Sequence, residues 1–581
     1  MILAIGYLPL LMRLHSYDSM LGTYEWFPSE GGSTDVFLWL KMVFIIPLAV
    51  FCIVALIWRK FFDGEKLYFF KGMWLLVIAG GMIFVSGLFS FERELAFAGS
   101  FEMFQSVPVM LSYLVFFAYG CCAVRSAKRL KRVLLFAAPG IAIEVLIAFF
   151  QGLGLDFFMT DFGKKLYMPQ EYWDNLDAAQ LAFGKGTAYG TLYNPDYVSM
   201  YMGVMVPLFA GLFFAAKKIW VKVLSLAFIA AGLFILSKSA ISGYMGIGVA
   251  AVIGLLIFLF IRGKKPFLIG VLGVGAASVL LLVLTLIPGA FHNKVWEALS
   301  LTDPVESEIR VYHIDTADDG VHFTLTDGTE YTAVFDDTTE YREDAVGDHV
   351  FVLSPYMIED AGVRPMTISV NGYGWDFLNM DGTYWYLNKA GRAVRMSSTD
   401  DTPRVFPMSM FVLRGLIWDE TFPLLTDHIL LGCGANTFVT EFPQTNYVLE
   451  NYYDRLASLD VKPHSMYLQQ WVENGLIAMI ALVSFLILCV VRALMTGLSK
   501  KAAPEEKETT PKKKNAPVSD WEENRRFMRI MLLAGALSIC SWLIVVLAND
   551  LENCTGPLFF SVVGITAGLT GGMKETYFTE G

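Results

Sequence analysis

Eleven apolar runs, each near the ~20 residues an α-helix needs to cross a bilayer core, restrict this chain to few folds. They fall near 37–57, 72–90, 106–123, 133–151, 197–216, 221–237, 240–261, 267–288, 470–494, 527–548 and 554–572. In hydrocarbon every backbone N–H and C=O must bond within the protein, so such runs become helices. With 17% charged residues in 581, the chain carries too little charge to cover a soluble protein of this size. Met1 to Leu14 is a further apolar stretch, too short to span and with too little charge ahead of it for a signal peptide. We read it as the remnant of a twelfth span and expect the first part of that span to be missing. The expected fold is an all-α polytopic membrane bundle of about 11–12 transmembrane helices.

Basic residues orient the bundle. They cluster at Arg59-Lys60-Lys66-Lys71, at Arg125-Lys128-Arg129-Lys131-Arg132, at Lys217-Lys218-Lys222, at Arg262-Lys264-Lys265, and from Lys500 to Arg526. If the spans alternate, every cluster falls on one side, which is therefore the cytoplasmic one. The Pro/Glu/Lys-rich stretch 500–525 reads as a flexible cytoplasmic linker. The opposite face carries loops 152–196 and 289–469, the latter far too long for a simple connection.

Within that loop, residues 303–403 hold 20 Asp+Glu against 6 Lys+Arg, a net charge of −14. The whole chain is −11, so the acidity belongs to this insertion and does not bar an anionic substrate elsewhere. Asp327-Gly328 and Asp381-Gly382 each sit between alternating apolar and polar residues, a strong hairpin signal, and His349–Leu353 supplies another strand. The insertion reads as an extracytoplasmic all-β domain. Its aromatics Tyr331, Tyr384, Trp385 and Tyr386 either stack on sugar rings or fill the core, and core is the commoner fate. The organisation is then a membrane bundle over 1–302, the β domain over 303–403, a loop over 404–469 and further spans over 470–581.

The loop 404–469 is where the chain departs from a generic membrane protein. Arg414 offers a planar fork of donors suited to a phosphate or diphosphate; an arginine reaching for lipid headgroups is the alternative. His464 precedes the next span, and an imidazole can take a proton from a hydroxyl near neutral pH, or it can simply sit at the interface. Lys238 ends an apolar run, where a cation is costly and often functional, though snorkelling is as common. Asn194-Pro195 reads as a helix cap whose free N–H groups favour an anion, and capping alone also explains it. Phe411 to Leu425 reads as an amphipathic stretch on the membrane surface. Seven scattered cysteines, most within apolar runs, read as packing residues. No metal-ligand spacing appears, and no glycine fingerprint for a nucleotide.

Taken together these pieces resemble the O-antigen ligase / polysaccharide polymerase superfamily of integral membrane glycosyltransferases. Gly190-Thr191 with Asn194-Pro195-Asp196 is similar to that family's span entry, and Ser237-Lys238 to its Ser-Arg, with lysine in place of arginine. Arg414/Trp418, Gly432-Cys433-Gly434 with Phe438, His464-Ser465 with Tyr467-Leu468, and Glu473 with Gly475-Leu476 follow in the family's order. Ser465 replaces the usual asparagine, and the β insertion lies outside the family pattern.

The resemblance implies transfer of a glycan from a polyprenyl-diphosphate carrier to an acceptor hydroxyl, a glycan or cell-envelope polymer, at the outer membrane face. It implies no metal or other cofactor and no nucleic acid. Arg414, Lys238 and Asn194 would hold the diphosphate, and His464 would accept the acceptor's proton. A ligase and a polymerase use the same centre and are not separated by these residues. A transporter is a weaker alternative, since no internal repeat is visible and Glu144 is the main acid deep in a span. A sensor would need a cytoplasmic output domain, and only short loops and the linker are available.

Overall fold

The computed structural model describes residues 1–28, 31–178, 181, 183–299, 309–359, 362–452, 459–499 and 520–575. Most of the linker 500–525 and the boundary at 302/303 lie outside the described residues. The chain is mostly helical, with a separate β region between residues 311 and 399.

Each apolar run becomes a helix. These are α1 (Trp39–Phe61), α2 (Met73–Phe89), α3 (Val107–Ala123), α4 (Ala127–Gly152), α5 (Pro195–Ala215), α6 (Ile219–Leu236), α7 (Ser242–Arg262) and α8 (Lys264–Leu286). After a helix in the long loop, α9 (Met410–Asp427), come α10 (Met466–Leu498), α11 (Asp520–Val545) and α12 (Gly556–Glu575). Among the described residues nine helices are long and apolar enough to cross a membrane, and α2 and α3 are shorter apolar helices. The apolar start does not make a further long helix. It forms short helical turns, Leu3–Tyr7 and Leu8–Leu10, with Ala4 and Ile5 buried.

Several basic clusters meet at one end of the bundle. Lys131 donates to Asn524 (2.9 Å), Lys217 pairs with Glu523 (2.6 Å) and Arg129 approaches Glu65 (3.8 Å). Because Lys217 follows the last turn of α5 and Asn194 caps its first, the 194–196 motif stands at the opposite end. Two buried charges fasten that motif. Lys41 donates to the carbonyls of Leu11, Phe37 and Thr191 at 2.7–2.8 Å, and Glu144 accepts from the backbone and hydroxyl of Thr191. Buried charges survive only with such partners, so Glu144 is a structural staple for the loop that enters α5.

The insertion is a two-sheet sandwich. Its strands are β3 (Val311–Thr316), β4 (Val321–Leu325), β5 (Glu330–Ala333), β6 (Arg342–Val346), β7 (His349–Pro355), β8 (Met366–Val370), β9 (Tyr373–Met380), β10 (Thr383–Leu387), β11 (Ala393–Val394) and β12 (Ser397–Thr399). An N-terminal hairpin supplies β1 (His15–Asp18) and β2 (Gly32–Asp35). One sheet runs β11-β10-β9-β8-β7-β6 and the other β12-β3-β4-β5. Both Asp-Gly pairs sit in hairpins, β4–β5 and β9–β10; at the second, Asp381 and Gly382 both have positive φ, as a two-residue hairpin turn requires. Phe323 of one sheet meets Trp375 and Phe377 of the other. Tyr384 and Tyr386 are buried in that core, while Tyr331 stacks on Phe351 and Trp385 carries the Arg395 guanidinium over its ring.

The sandwich does not close its own core. Tyr447, Val448 and Tyr452 from the loop complete it, with Trp375 donating to the Tyr447 carbonyl (3.0 Å) and Val311 N–H to the Tyr452 hydroxyl (2.6 Å).

Candidate functional site

The start of α5, the bend before α9, the entry to α10 and the turn between α11 and α12 meet at one place. Asn194 caps α5 in the ordinary way, its side chain accepting from Asp196 N–H at 2.8 Å. Its amide oxygen is therefore used, and the neighbour Asp196 supplies the charge. Arg414 donates to Asp196 Oδ2 at 2.8 Å and to the Phe411 carbonyl at 3.1 Å. Its Nε–H is buried without an acceptor among the described residues, an unmet donor of the kind native proteins rarely leave.

The backbone pays for placing Arg414 there. Phe411, Val412 and Leu413 all have φ between 50° and 66°, a left-handed run that costs non-glycine residues about 1–3 kcal/mol each. The helix that follows is not the amphipathic surface helix expected from the sequence. It buries Leu416 and Ile417 together with Asp419 and Glu420, and Asp419 accepts from the N–H groups of Val405 and Phe406. The helix therefore packs into the protein through acids as well as apolar residues.

His464 is also left-handed, with φ 50°. Its Nδ1 lies 3.6 Å from Asp550 Oδ2, too long for a hydrogen bond but close enough to favour the tautomer protonated on Nδ1. Nε2 then keeps its lone pair. Asp550 is held by Ser465 N–H at 3.0 Å, and Trp418 fixes the approach by donating to the Pro463 carbonyl at 2.9 Å. Burial, reinforced by Arg414 and Lys462, holds the His464 imidazole well below its ordinary pKa, so it is neutral at pH 7. Burial pushes Asp550 up to about 7, although Lys462, the Ser465 hydrogen bond and Arg414 oppose the rise.

Lys462 is the second cation here. It is buried, donates to the Tyr197 hydroxyl at 2.7 Å, and lies over the rings of Tyr197 and Tyr193. Lys238 is placed differently. It is exposed, and its stem runs beside Gly152 at the end of α4. Among the described residues its side chain makes no hydrogen bond or ion pair, so the structure brings Arg414, His464 and the 194–196 cap together and leaves Lys238 apart.

The glycine motifs have another role. Helix α10 breaks at Gly475, whose φ is +83°, and the segment 429–434 bonds into the break. Leu476 N–H donates to the Ile429 carbonyl, Cys433 N–H to Val472 and Gly434 N–H to Glu473, all at 2.8–2.9 Å. Side chains at Gly432 or Gly475 would strike the backbone of the partner segment. Glu473 turns one oxygen to Asn436 N–H at 3.1 Å. These residues build a clamp behind the site.

Lys462 and Asp550 were not singled out from the sequence, and Asp196 was quoted only within the span-entry motif, with no role of its own. Asp550 had a usable signal: Asn549-Asp550-Leu551-Glu552-Asn553 is strongly polar between two apolar runs, and intramembrane or interfacial charge is expensive. All seven cysteines are free, and among the described residues no cluster could hold a metal ion. Compared with family models, with curated proteins and with solved structures, the chain matches none.

Proposed function

We propose that this chain is a multi-pass membrane glycosyltransferase that moves a glycan from a polyprenyl-diphosphate carrier onto an acceptor hydroxyl. In this reading all eleven apolar helices span the bilayer, the basic end is cytoplasmic, and the site and β sandwich face outward in the cell envelope. The observation that carries it is the convergence of Arg414, Lys462 and a neutral His464, backed by Asp550, at the end of the bundle away from the basic clusters. Two cations beside a neutral base suit displacement of an anionic leaving group by a hydroxyl.

The acceptor oxygen attacks the sugar C1, and its proton goes to His464 Nε2. The C1–O bond to the diphosphate breaks, and the electron pair leaves with the diphosphate, whose growing charge Arg414 and Lys462 stabilise. Asp550 favours the Nδ1–H tautomer and supports the imidazolium as it forms. Asp196 occupies one face of Arg414 in the free protein, so the diphosphate competes with it for the guanidinium. Lys238, exposed beside the end of α4, serves the carrier's approach.

The test is transfer by purified protein from a polyprenyl-diphosphate glycan, with products sized by gel. His464→Ala and Arg414→Ala should each lower the rate at least ~10³-fold, within the range for losing a general base or a charge stabiliser, with thermal unfolding unchanged. Full activity in both variants would overturn the assignment. A ladder on the same lipid identifies a polymerase, and a jump to a second acceptor identifies a ligase.

A further inference from the structure

The backbone outliers of this protein are not scattered. Outside the turns of the β sandwich and the N-terminal hairpin, the non-glycine residues with positive φ are Phe101, Glu102, Phe104, Tyr193, Phe411, Val412, Leu413, Asn436 and His464. Three of these belong to the bend that presents Arg414, and one is His464 itself. Strain of this kind persists where the surroundings over-determine it, and it concentrates at ligand sites. The set Phe101, Glu102, Phe104 and Tyr193 has no part in the chemistry described above, yet it adjoins it.

These residues form one side of a continuous aromatic wall. Lys462 lies over Tyr193 and Tyr197, whose ring centroids are 5.9 Å apart. Tyr193 lies close enough to the Glu102 carboxylate to feel its charge. Tyr17 of β1 sets its ring edge-on to Phe104 at 5.0 Å and lies within reach of the Glu102 charge. His15 lies parallel to Tyr17 at 6.2 Å and stacks on Trp39 at 3.6 Å. His15, Tyr17, Glu102 and Tyr193 are all partly exposed, unlike the fully buried aromatics of the bundle interior. Partly exposed rings with a partly exposed carboxylate among them are poor lipid contacts. They match a pyranose, which offers an apolar C–H face to a ring and hydroxyl donors to a carboxylate.

We propose that His15, Tyr17, Glu102 and Tyr193 form a saccharide subsite next to the Arg414–His464 centre, receiving the sugar that adjoins the reacting one. The inference rests on the glycan-transfer reading for its place in a reaction, but binding can be measured without transfer. Glu102 accepts sugar hydroxyls, Tyr17 and Tyr193 carry the ring faces, and the strained 101–104 segment holds the carboxylate at the level of the rings.

The experiment is retention of the full-length protein, in lipid nanodiscs, on an oligosaccharide array, followed by titration of the best retained oligosaccharide. Tyr17→Ala and Glu102→Gln should each weaken retention about 10-fold, the scale of one aromatic contact or one charge-assisted hydrogen bond. Tyr17→Phe, which keeps the ring, should stay within about 3-fold of wild type, and a thermal melt separates lost binding from lost fold. Wild-type retention unaffected by Tyr17→Ala and Glu102→Gln, or no retention of any oligosaccharide, overturns the subsite. Array binding that depends on these residues, in a protein without transfer activity, supports the subsite and removes the transfer reading. Transfer whose KM for the glycan is unmoved by both variants removes the subsite and leaves the transfer reading standing.

Discussion

Two sets of residues at and before α10 look equally motif-like in sequence, yet the fold uses them differently. Gly432-Cys433-Gly434 and Gly475 form a clamp held by three backbone hydrogen bonds, with glycine required where a side chain would collide with the facing backbone. Arg414, Lys462 and His464 instead place charge and a lone pair at one point, at the expense of strained backbone and an unmet donor. The first set meets its backbone groups but leaves the adjoining Glu473 Oε2 and Asn474 Oδ1 buried without a partner among the described residues, much as the second leaves Arg414 Nε. A regular spacing of glycines signals close approach of chains, whereas the second set is set apart by bringing two cations and an imidazole together.

The sharpest way to test that division is at Gly475. Gly475→Ala forces a Cβ onto a residue with φ +83° and against the Leu430 carbonyl, so loss of folded, monodisperse protein is expected, read by size-exclusion chromatography. His464→Ala should do the reverse, keeping the fold and losing transfer. If Gly475→Ala folds normally and fails only in transfer, the clamp belongs to the chemistry after all.

Asp550→Asn comes next, and it should separate activity from stability. Asp550 has a folded-state pKa raised to about 7, above an unfolded value of about 3.9. The folded state therefore holds its proton while the unfolded state loses it, so this group's contribution to stability falls as pH rises from about 4 to about 7. Asn removes that loss: melting temperatures should match at pH 4 and favour the variant at pH 8. Transfer moves the other way. The wild-type rate should climb through pH ~7 as Asp550 ionises, and the variant should lose that inflection and about 10–100-fold in rate, less than a general base contributes. An unchanged pH profile would detach Asp550 from His464.

Asp196→Asn frees the guanidinium of Arg414 from its partner. KM for the diphosphate donor should fall by about 3-fold, the modest scale of a partly exposed ion pair; a rise would mean that Asp196 orients Arg414 rather than competing for it. Lys238→Ala should have the smallest effect, a change within about 3-fold in KM for the donor and none in kcat, as befits an exposed cation screened by solvent. A large loss in kcat would return Lys238 to the centre.

The β sandwich adds a caution on a tempting deletion. Removing 303–403 takes out both sheets but leaves Tyr447, Val448 and Tyr452, which complete their core, exposed. The deletion therefore tests the loop as much as the domain, and replacing those three residues with polar ones is the matching control.

The sequence by itself determined the helices and the sandwich. Eleven apolar runs, alternating strand patterns and two Asp-Gly turns are local signals, because backbone satisfaction in hydrocarbon and the twist of a hairpin act within a few residues. Arg414 and His464 stood out in the sequence for a similar reason, since each is a costly residue type in its setting, and the structure brings them together. Only the tertiary structure decided the rest. It spent Asn194 as a cap, gave Arg414 to Asp196, set Asp550 behind His464 across 86 residues of chain, and left Lys238 exposed beside Gly152. It also turned the expected surface helix inward on Asp419 and assigned Glu144 to the loop entering α5. Each outcome depends on which groups of distant segments meet in a medium of low dielectric, where a charge must find a partner, and neither periodicity nor composition carries that information.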